Sequence, residues 1–422
     1  MTRIAIIVQR YGLEINGGAE LHARLLANAL RDHYEVEILS SRALDYQCWD
    51  RHYPAGEQLV QGLRVIRFDH PPKDRSRRKH MPLSHKIRFL TWKWLANFGI
   101  APVAKPSGDD TADGVQYLVA QGPTMPGLLE HLRRHANDYQ ALIFITARFY
   151  PTALGVLIDP ARSILVPTLH PEKTMALPHF QRVFRAPRRI MFNTSAEWQV
   201  ARRLYGDDIA PGEVCGVGID IPEPTATANV VIPGVDCPYL LYVGRVDQGK
   251  GCGELFDYFE RLRQRWPTES LKLIVCGRWF MAQPSHPDIV SAGFVSDAER
   301  DVLIAGALAL VVPSRHESLS LAMLEGLAAG CPVIVNWHSE VLRQHVLDSA
   351  VGATYRNANE FAQAVWQQLR VSDAIRRVQA EQGRNYVRDN YHWPAIVAKF
   401  RRAIDTMPAA AMTPEPDTTN DH

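Results

Sequence analysis

The sequence predicts an α/β protein with two domains, each built on a parallel β-sheet, and three observations lead to this fold class. The chain has 422 residues, the length of about two ordinary domains. Each half alternates short apolar, β-branched runs with longer stretches of helical periodicity, the pattern of parallel sheets covered by helices. A segment rich in proline, glycine and threonine, residues 216–238, separates the halves and is the expected linker.

The elements follow in order along the chain. The first helix is expected over residues 18–33, with apolar side chains at positions 19, 21, 25, 26, 29 and 30. We expect an N-terminal domain over 1–215, a C-terminal domain over 239–385, a last helix over 386–406 that packs back on the first domain, and a disordered tail over 407–422. Strands are predicted at 3–9, 34–40, 63–69, 141–146 and 163–169, and then at 239–244, 271–277, 289–294, 308–313 and 331–336.

Composition favours an ordinary soluble globular protein of the cytosol. Apolar residues make up 46% of the chain, charged residues 22%, and the net charge is +2, which gives no reason to expect nucleic acid as a partner. The six cysteines are scattered, without C-x-x-C pairs or zinc-like spacing. A strand begins at residue 3, so we expect no signal peptide. The apolar stretch 141–158 is broken by Arg148 and Pro151, so we expect no membrane span.

The first motif with chemical content is GRVDQGKG, which follows the first strand of the second half. It matches the phosphate loop of nucleoside triphosphatases except that Gly251 stands where a serine or threonine hydroxyl should bind Mg²⁺. Arg245 and Lys250 could instead bind one diphosphate from a strand end and a helix start. A glycine-rich turn with two solvated cations explains the motif equally well at this point.

The second motif is PSRHESLSLAMLEGLAAGCPVIVN, which contains Glu317 and Glu325 in the spacing E-x7-E. Glu317 falls in a loop, where a carboxylate can accept hydrogen bonds from ligand hydroxyls. Glu325 lies about two helical turns further on and would meet another part of an extended ligand. Two glutamates on an amphipathic helix are the alternative. The backbone N–H groups that open this helix are expected to bind an anion, and they belong to Ser318, Leu319 and Ser320.

Taken together, GRVDQGKG and the E-x7-E segment resemble the retaining family-4 glycosyltransferases of GT-B fold, in which two Rossmann-like domains with parallel sheets face each other across a cleft. In that family the arginine and lysine bind the donor diphosphate, the first glutamate binds hydroxyls of the transferred sugar, and the second binds the nucleotide ribose. The resemblance implies these roles for Arg245, Lys250, Glu317 and Glu325, with Glu317 among the catalytic residues.

The first half agrees with this resemblance. INGGAELHARLLANAL resembles the Gly-Gly loop of the family, where Gly17 and Gly18 let a helix N-terminus approach phosphate or acceptor. SILVPTLHPEK resembles the strand end that carries a functional histidine, which implies a catalytic role for His170. Glu172 is a weaker candidate for acceptor binding. VCGVGIDIP resembles the crossing into the second domain, with Val217 in place of the usual asparagine.

No metal or other cofactor is expected. The chain has no D-x-D pair and no His/Asp cluster with ligand spacing. Arg245, Lys250 and helix N-termini would neutralise the leaving diphosphate instead. Retention of anomeric configuration follows from the resemblance alone. The sequence offers no obvious nucleophile for a double displacement, so substitution on one face, with the departing phosphate helping to deprotonate the acceptor, is the working hypothesis.

A basic insertion, about residues 70–115, interrupts the α/β alternation. Between Lys73 and Lys93 it has eight lysines and arginines against one aspartate, followed by Phe, Trp and Leu side chains. Such a composition is typical of a helix on anionic lipid, so residues 73–98 are expected to contact the membrane. The alternative is an insertion whose aromatic side chains pack on the first domain.

The leading prediction is therefore an enzyme that moves a sugar from a nucleotide-diphosphate donor to a glycan or lipid-linked acceptor. The expected setting is surface polysaccharide biosynthesis, in the cytoplasm or at the inner face of the plasma membrane. A nucleotide-sugar epimerase or hydrolase on the same scaffold is an alternative, because a fold does not fix a function. A non-catalytic nucleotide-sugar-binding subunit is another, although four retained motif residues argue against it.

Overall fold

The structure is a computed structural model, and it describes residues 1–15, 17–73, 108–170, 172–222 and 236–410. The described chain divides into two compact units. Unit 1 comprises residues 1–216 together with the chain from Ile396 onward, and unit 2 comprises Val217–Ala395. Of the predicted membrane segment, residues 74–98 lie outside the described residues. Residues 223–235 of the predicted linker and residues 411–422 of the predicted tail also lie outside them.

Unit 1 is built on an eight-stranded sheet in the order β3-β4-β2-β1-β5-β6-β7-β8. Neighbouring strands are parallel except for the edge pair β3 and β4, which is antiparallel. The strands are β1 (Arg3–Ile7), β2 (Glu35–Ser41), β3 (Gly56–Val60), β4 (Leu63–Phe68), β5 (Ala141–Ile145), β6 (Ser163–Val166), β7 (Arg189–Phe192) and β8 (Gly212–Val214).

The helices of unit 1 connect these strands. Proline occupies one of the first two positions in three of them, where its fixed φ suits a helix and its missing N–H costs no hydrogen bond. The helices are α1 (Gly18–Leu30), α2 (Gly108–Gln121), α3 (Pro126–His135), α4 (Tyr150–Gly155), α5 (Pro178–Arg185) and α6 (Ser195–Tyr205).

Unit 2 is built on a six-stranded sheet in the order β11-β10-β9-β12-β13-β14, parallel at every pair. Its strands are β9 (Tyr239–Val243), β10 (Lys272–Cys276), β11 (Ile289–Gly293), β12 (Ala309–Val312), β13 (Val333–Asn336) and β14 (Ala353–Tyr355). The remaining helices are α7 (Cys252–Arg265), α8 (Asp297–Gly306), α9 (Leu321–Ala329), α10 (Glu340–Ser349), α11 (Ala358–Leu369), α12 (Asp373–Tyr391) and α13 (Trp393–Asp405).

Each sheet carries its own apolar core. The central strands are fully buried runs, β5 with the residues ALIFI and β13 with VIVN, as expected for parallel strands covered by helices on both faces. Burial of one such Leu, Ile or Phe side chain contributes roughly 1.5–3 kcal/mol. The cores leave the carboxyl edge of each sheet, the side at which parallel strands end, to the loops that hold the candidate site residues.

The predicted fold class is confirmed, and every predicted strand is present. β3, β7, β8 and β14 were missed. Three of them have only three or four residues, and β3 is a largely exposed edge strand with the residues GEQLV. The edge strand β3 adds one antiparallel pair to the otherwise parallel sheet of unit 1. Helix α2 begins at Gly108, inside the predicted insertion.

The C-terminal region differs from the prediction in two respects. The segment that returns to unit 1 begins at Ile396 and not at residue 386, because α12 continues through Tyr391 within unit 2. On unit 1, Lys399 donates a hydrogen bond to the carbonyl of Val214 at 2.9 Å. The disorder predicted from residue 407 is wrong for the described residues 407–410, because Met407 is buried and the carbonyl of Pro408 accepts a hydrogen bond from Arg162.

Candidate functional site

The loop after β9 brings two predicted cations to the carboxyl edge of the sheet in unit 2, the edge where open α/β sheets bind ligands. A short 3₁₀ turn spans Gln248–Lys250, and Asp247 caps it by accepting the backbone N–H of Lys250 at 2.8 Å. The other carboxylate oxygen of Asp247 lies 3.2 Å from Nη2 of Arg245. Asp247, which the motif did not single out, therefore fixes the positions of both predicted diphosphate ligands.

Gly251 explains why this loop departs from the triphosphatase motif. It has φ 78° and ψ 15°, in the left-handed region that favours glycine. A Cβ at this position would lie 2.4 Å from the carbonyl oxygen of Pro313, which is backbone and cannot turn aside. A serine or threonine hydroxyl does not fit here, so the geometry argues against a Mg²⁺-binding phosphate loop.

Lys250 and Glu317 lie in direct contact. Lys250 Nζ donates a hydrogen bond to Glu317 Oε1 at 2.7 Å, although 67 residues separate them in the chain. The contact forms because β9 and β12 are neighbours, so that the loops that follow them meet at one edge. The Lys250 side chain is 33% exposed and that of Glu317 13% exposed. The pair is therefore sheltered but open to a ligand on the lysine side.

The loop between β12 and α9 holds the predicted anion-binding groups, with one difference. Helix α9 begins at Leu321, so Ser318, Leu319 and Ser320 precede the helix and do not form its first turn, as the sequence had suggested. Ser320 is the N-cap, with φ 71° and ψ 80° and no capping hydrogen bond from its side chain. A serine is seldom found in this conformation, so the prediction of the helix start failed at a strained residue.

Glu325 lies further along α9 and has a partner that the sequence did not indicate. Its Oε1 is 3.8 Å from Nη1 of Arg300, which also pairs with Asp297 and Asp301 at 2.8 Å each. Burial raises the pKa of Glu325 above its usual value, and the charge of Arg300 opposes that shift. Arg300 therefore favours the ionised form, the form that accepts hydrogen bonds from hydroxyl groups at both oxygens.

In unit 1 the Gly-Gly pair begins helix α1, with Gly17 as the N-cap. A Cβ on Gly17 would lie 1.8 Å from Oε2 of Glu20, whereas nothing lies within 4 Å of one on Gly18. Glu20 is buried and its Oε1 lies 2.5 Å from Nη2 of Arg10. Gly17 thus makes room for a buried ion pair of this chain, a different reason from the predicted approach to phosphate. Gly18 leaves open space beside the helix N-terminus.

His170 and Glu172 also lie together, at the loop after β6. His170 Nε2 is 2.5 Å from Glu172 Oε1, and Arg148 Nη1 donates to the same oxygen at 2.6 Å. Burial raises the pKa of Glu172, but the hydrogen bond from His170 and the charge of Arg148 outweigh it and hold that pKa at about 2. Glu172 is therefore ionised, and its first partners are His170 and Arg148. The sequence pattern indicated Arg148 only as a break in an apolar run and not as a partner of Glu172.

Three further polar groups near the carboxyl edge of unit 1 stand out. The side-chain oxygens Gln9 Oε1, Thr146 Oγ1 and Asn193 Oδ1 are buried and have no hydrogen-bond partner among the described residues. They follow β1, β5 and β7, strands of one sheet. Thr146 also has a positive φ of 70°. A buried oxygen without a partner costs roughly 1–3 kcal/mol, which marks this edge as a place for a hydrogen-bonding ligand.

The described residues form neither a cluster suited to a metal ion nor a helix suited to span a membrane. Nowhere in that part of the chain do three His, Cys, Asp or Glu side chains come close enough to hold a metal ion. None of the helices described is both long and apolar enough to cross a membrane.

Comparison with known proteins adds a family match for part of the chain. Residues 237–370 match the family described as Glycosyl transferases group 1. A D-inositol 3-phosphate glycosyltransferase from Kineococcus radiotolerans is 31% identical over 195 residues, 41% of this chain and 45% of that protein. A glycogen synthase from Mycobacterium tuberculosis is 26% identical over 223 residues, 50% of this chain and 53% of that protein. The chain thus spans about half the length of the curated relatives it matches.

Solved structures resemble the chain over nearly its whole length. A sucrose-phosphate synthase from Thermosynechococcus elongatus has a TM-score of 0.64 at 18% identity and covers 95% of this chain and 98% of its own. HepE from Anabaena, solved with UDP-glucose, has a TM-score of 0.64 at 15% identity and covers 96% of this chain and all of its own. Likeness at such low identity shows the fold, and it confirms the predicted GT-B architecture of two parallel-sheet α/β domains.

Proposed function

We propose that the chain is a glycosyltransferase that moves a sugar from a nucleotide-diphosphate donor to a hydroxyl of an acceptor. One observation carries the proposal: Arg245, Lys250 and Glu317 gather at one sheet edge, within the segment that matches Glycosyl transferases group 1. Two cations beside a sheltered carboxylate suit a ligand that has both phosphates and sugar hydroxyls.

The donor half of the reaction falls to unit 2. As the diphosphate leaves, Arg245 and Lys250 stabilise the negative charge that develops on it, and such fixed charges act most strongly in a sheltered site. Glu317, released from its hydrogen bond with Lys250, accepts hydrogen bonds from the transferred sugar. Glu325, whose ionised form Arg300 favours, accepts them from the ribose. UDP-glucose bound to the structural neighbour HepE is a ligand of the same chemical class.

The acceptor half falls to unit 1. Gln9, Thr146 and Asn193 offer buried oxygens that hydroxyl groups can satisfy, so the proposed acceptor is rich in hydroxyls, a glycan or a lipid-linked saccharide. His170 donates from Nε2 to Glu172, and this hydrogen bond orients the imidazole ring. We assign His170 to the orientation of a reacting hydroxyl, with Glu172 and Arg148 fixing its ring.

The finer assignments complete the proposal. Membership of family 4, retention of configuration and substitution on one face rest on the E-x7-E pattern with Glu317 and Glu325 in place. Independence from metal rests on Arg245 and Lys250 taking the role of a metal ion. A cytoplasmic setting, a place in surface polysaccharide synthesis and membrane contact through residues 73–98 rest on the composition of the sequence.

The test is calorimetric binding of UDP-, GDP-, ADP- and dTDP-sugars with EDTA present, on wild type and on Lys250→Ala and Glu325→Ala. Lys272→Ala is the matched control, because Lys272 begins β10 at the opposite edge of the same sheet. We expect one nucleotide sugar to bind selectively and each site variant to bind it about 10- to 100-fold more weakly, since a hydrogen bond to a charged group contributes about 1.5–3 kcal/mol.

Three results would count against parts of the proposal. If no nucleotide sugar binds in EDTA while ATP with Mg²⁺ does, the triphosphatase interpretation of residues 244–251 returns. If a nucleotide sugar is converted or hydrolysed at the same rate with and without any acceptor, the epimerase or hydrolase alternative stands. If it binds tightly but is never turned over with a panel of saccharide acceptors, the chain is a binding subunit.

A further inference from the structure

A buried histidine outside the predicted motifs contacts the loop between β12 and α9. His345 lies on α10 and is 3% exposed. Its Nε2 is 3.0 Å from the carbonyl oxygen of Leu319, and its Nδ1 is 2.7 Å from the hydroxyl of Tyr386 on α12. The imidazole therefore joins two helices of unit 2 to the loop that connects β12 with α9.

The partners of His345 determine which ring nitrogen carries the proton. Burial lowers the pKa of His345 to about 4, so the ring is neutral at pH 7. A neutral imidazole has one donor and one acceptor nitrogen. Because the carbonyl of Leu319 can only accept, Nε2 carries the hydrogen, and Nδ1 accepts the hydrogen of the Tyr386 hydroxyl. The rings of Tyr386 and Tyr391 meet the imidazole edge-on, with centroids 6.0 Å and 5.9 Å away.

The bonded carbonyl lies at a strained point of the loop. Leu319 stands between Glu317, which pairs with Lys250, and Ser320, whose φ of 71° is unfavourable for a residue with a side chain. Such a conformation persists only when surrounding contacts impose it. The hydrogen bond from His345 is a contact of this kind, because it fixes the peptide that joins Leu319 to Ser320.

We propose that His345 is a positioning residue that holds the 317–320 loop in the conformation that binds the donor, with the Tyr386 hydroxyl holding the imidazole ring in place at Nδ1. The inference rests on the proposed function for the identity of the ligand. It assigns no contact with the donor to His345 itself. Its consequence is that a side chain remote from the diphosphate should set the affinity for it.

The test compares four variants of the full chain. His345→Leu removes both hydrogen bonds. His345→Gln keeps them, because its amide can donate to Leu319 and accept from Tyr386. Tyr386→Phe removes only the hydroxyl that bonds to Nδ1 of His345. Phe361→Leu, on α11 and fully buried in the same unit, is the control for a loss of stability that does not reach the loop.

Two measurements are made on each variant: calorimetric affinity for whichever of UDP, GDP, ADP and dTDP the wild type binds most tightly, and hydrogen exchange of the amides over 317–324 without ligand. We expect His345→Leu to bind about 3- to 10-fold more weakly, the range of one lost hydrogen bond, and to exchange faster at the loop. His345→Gln should remain near wild type, and Tyr386→Phe should fall between them.

The inference would be overturned if His345→Leu lost no more affinity than Phe361→Leu and the loop amides of the two variants exchanged equally fast. It would also be overturned if His345→Gln behaved like His345→Leu. A wild type that binds none of the four nucleotides would contradict the proposed function. The exchange measurement would then still decide whether His345 holds the loop. If His345→Leu does not fold, Tyr386→Phe and His345→Gln make the same comparison.

Discussion

Replacement of Gly251 by serine directly tests the geometry of the loop after β9, because it introduces the residue type that a triphosphatase loop requires. The left-handed conformation costs a residue with a Cβ roughly 1–2 kcal/mol. The new Cβ would also meet the Pro313 carbonyl oxygen at 2.4 Å and its carbon at 3.0 Å, and overpacking of this kind costs typically 1–3 kcal/mol. We therefore expect Gly251→Ser to destabilise unit 2 by about 2–5 kcal/mol.

Scanning calorimetry of the full chain is the assay. For a unit of this size 1 kcal/mol shifts the melting temperature by about 2–4 °C, so a fall of about 10 °C is expected in one transition. Gly127→Ser is the matched control, because the nearest atom to its Cβ would be 3.6 Å away and its φ is not positive. Equal melting of both variants and wild type would refute the geometric argument. A Gly251→Ser protein that gains Mg²⁺-dependent ATP binding would show that the loop is a damaged triphosphatase loop.

Three other substitutions follow from the site. Arg300→Met should raise the pKa of Glu325 further and so weaken nucleotide-sugar binding, because the neutral carboxyl accepts fewer hydrogen bonds. The loss of affinity should shrink as pH rises, and a loss that stays constant across a calorimetric pH series would contradict this. Glu172→Gln should lower the free energy of unfolding by about 3 kcal/mol above pH 5, because a carboxyl pKa lowered to about 2 stabilises the folded state there. This stabilisation disappears as pH falls to 2, so urea unfolding of wild type and variant at pH 7 and pH 2 measures it. An equal difference between wild type and variant at the two pH values would exclude the His170 pairing. Ser320→Gly should raise the melting temperature by about 2–4 °C by removing strain, and a decrease would show that Ser320 is not strained.

The fold could be predicted because several strands of this protein are continuous apolar runs. Runs such as ALIFI in β5 and YLLYV in β9 carry their signal locally, and their alternation with helices permits few arrangements other than parallel sheets. The missed strand β14, with the residues ATY, owes its pairing to its neighbour β13 and has no pattern of its own. Strands of this kind depend on tertiary context, which single-sequence patterns do not contain.

Candidate site residues could be named from the sequence where a motif groups them, and residues that contribute a single side chain could not. The contact between Lys250 and Glu317 follows from two motifs at neighbouring strand ends. Arg300 and His345 reach the site from separate helices, and nothing in their local sequence distinguishes them from the other arginines and histidines of the chain. The false helix start at Ser318 has the same origin, because a serine-rich helix entry is typical of an N-cap and a positive φ cannot be read from serine.

The carboxylates of the candidate site are paired with cations of the same chain, and these pairs affect which ligand the site should prefer. Glu317 is bonded to Lys250 at 2.7 Å, and only 13% of its side chain is exposed. A diphosphate that takes over Lys250 removes one hydrogen bond from this sheltered carboxylate, and a sheltered charge that loses a charged partner is destabilised. The hydroxyls of a sugar attached to the diphosphate can replace that hydrogen bond. Under the proposed function, the site should therefore bind the complete sugar donor more tightly than the nucleoside diphosphate released from it. The Lys250–Glu317 ion pair would then contribute both to donor recognition and to product release.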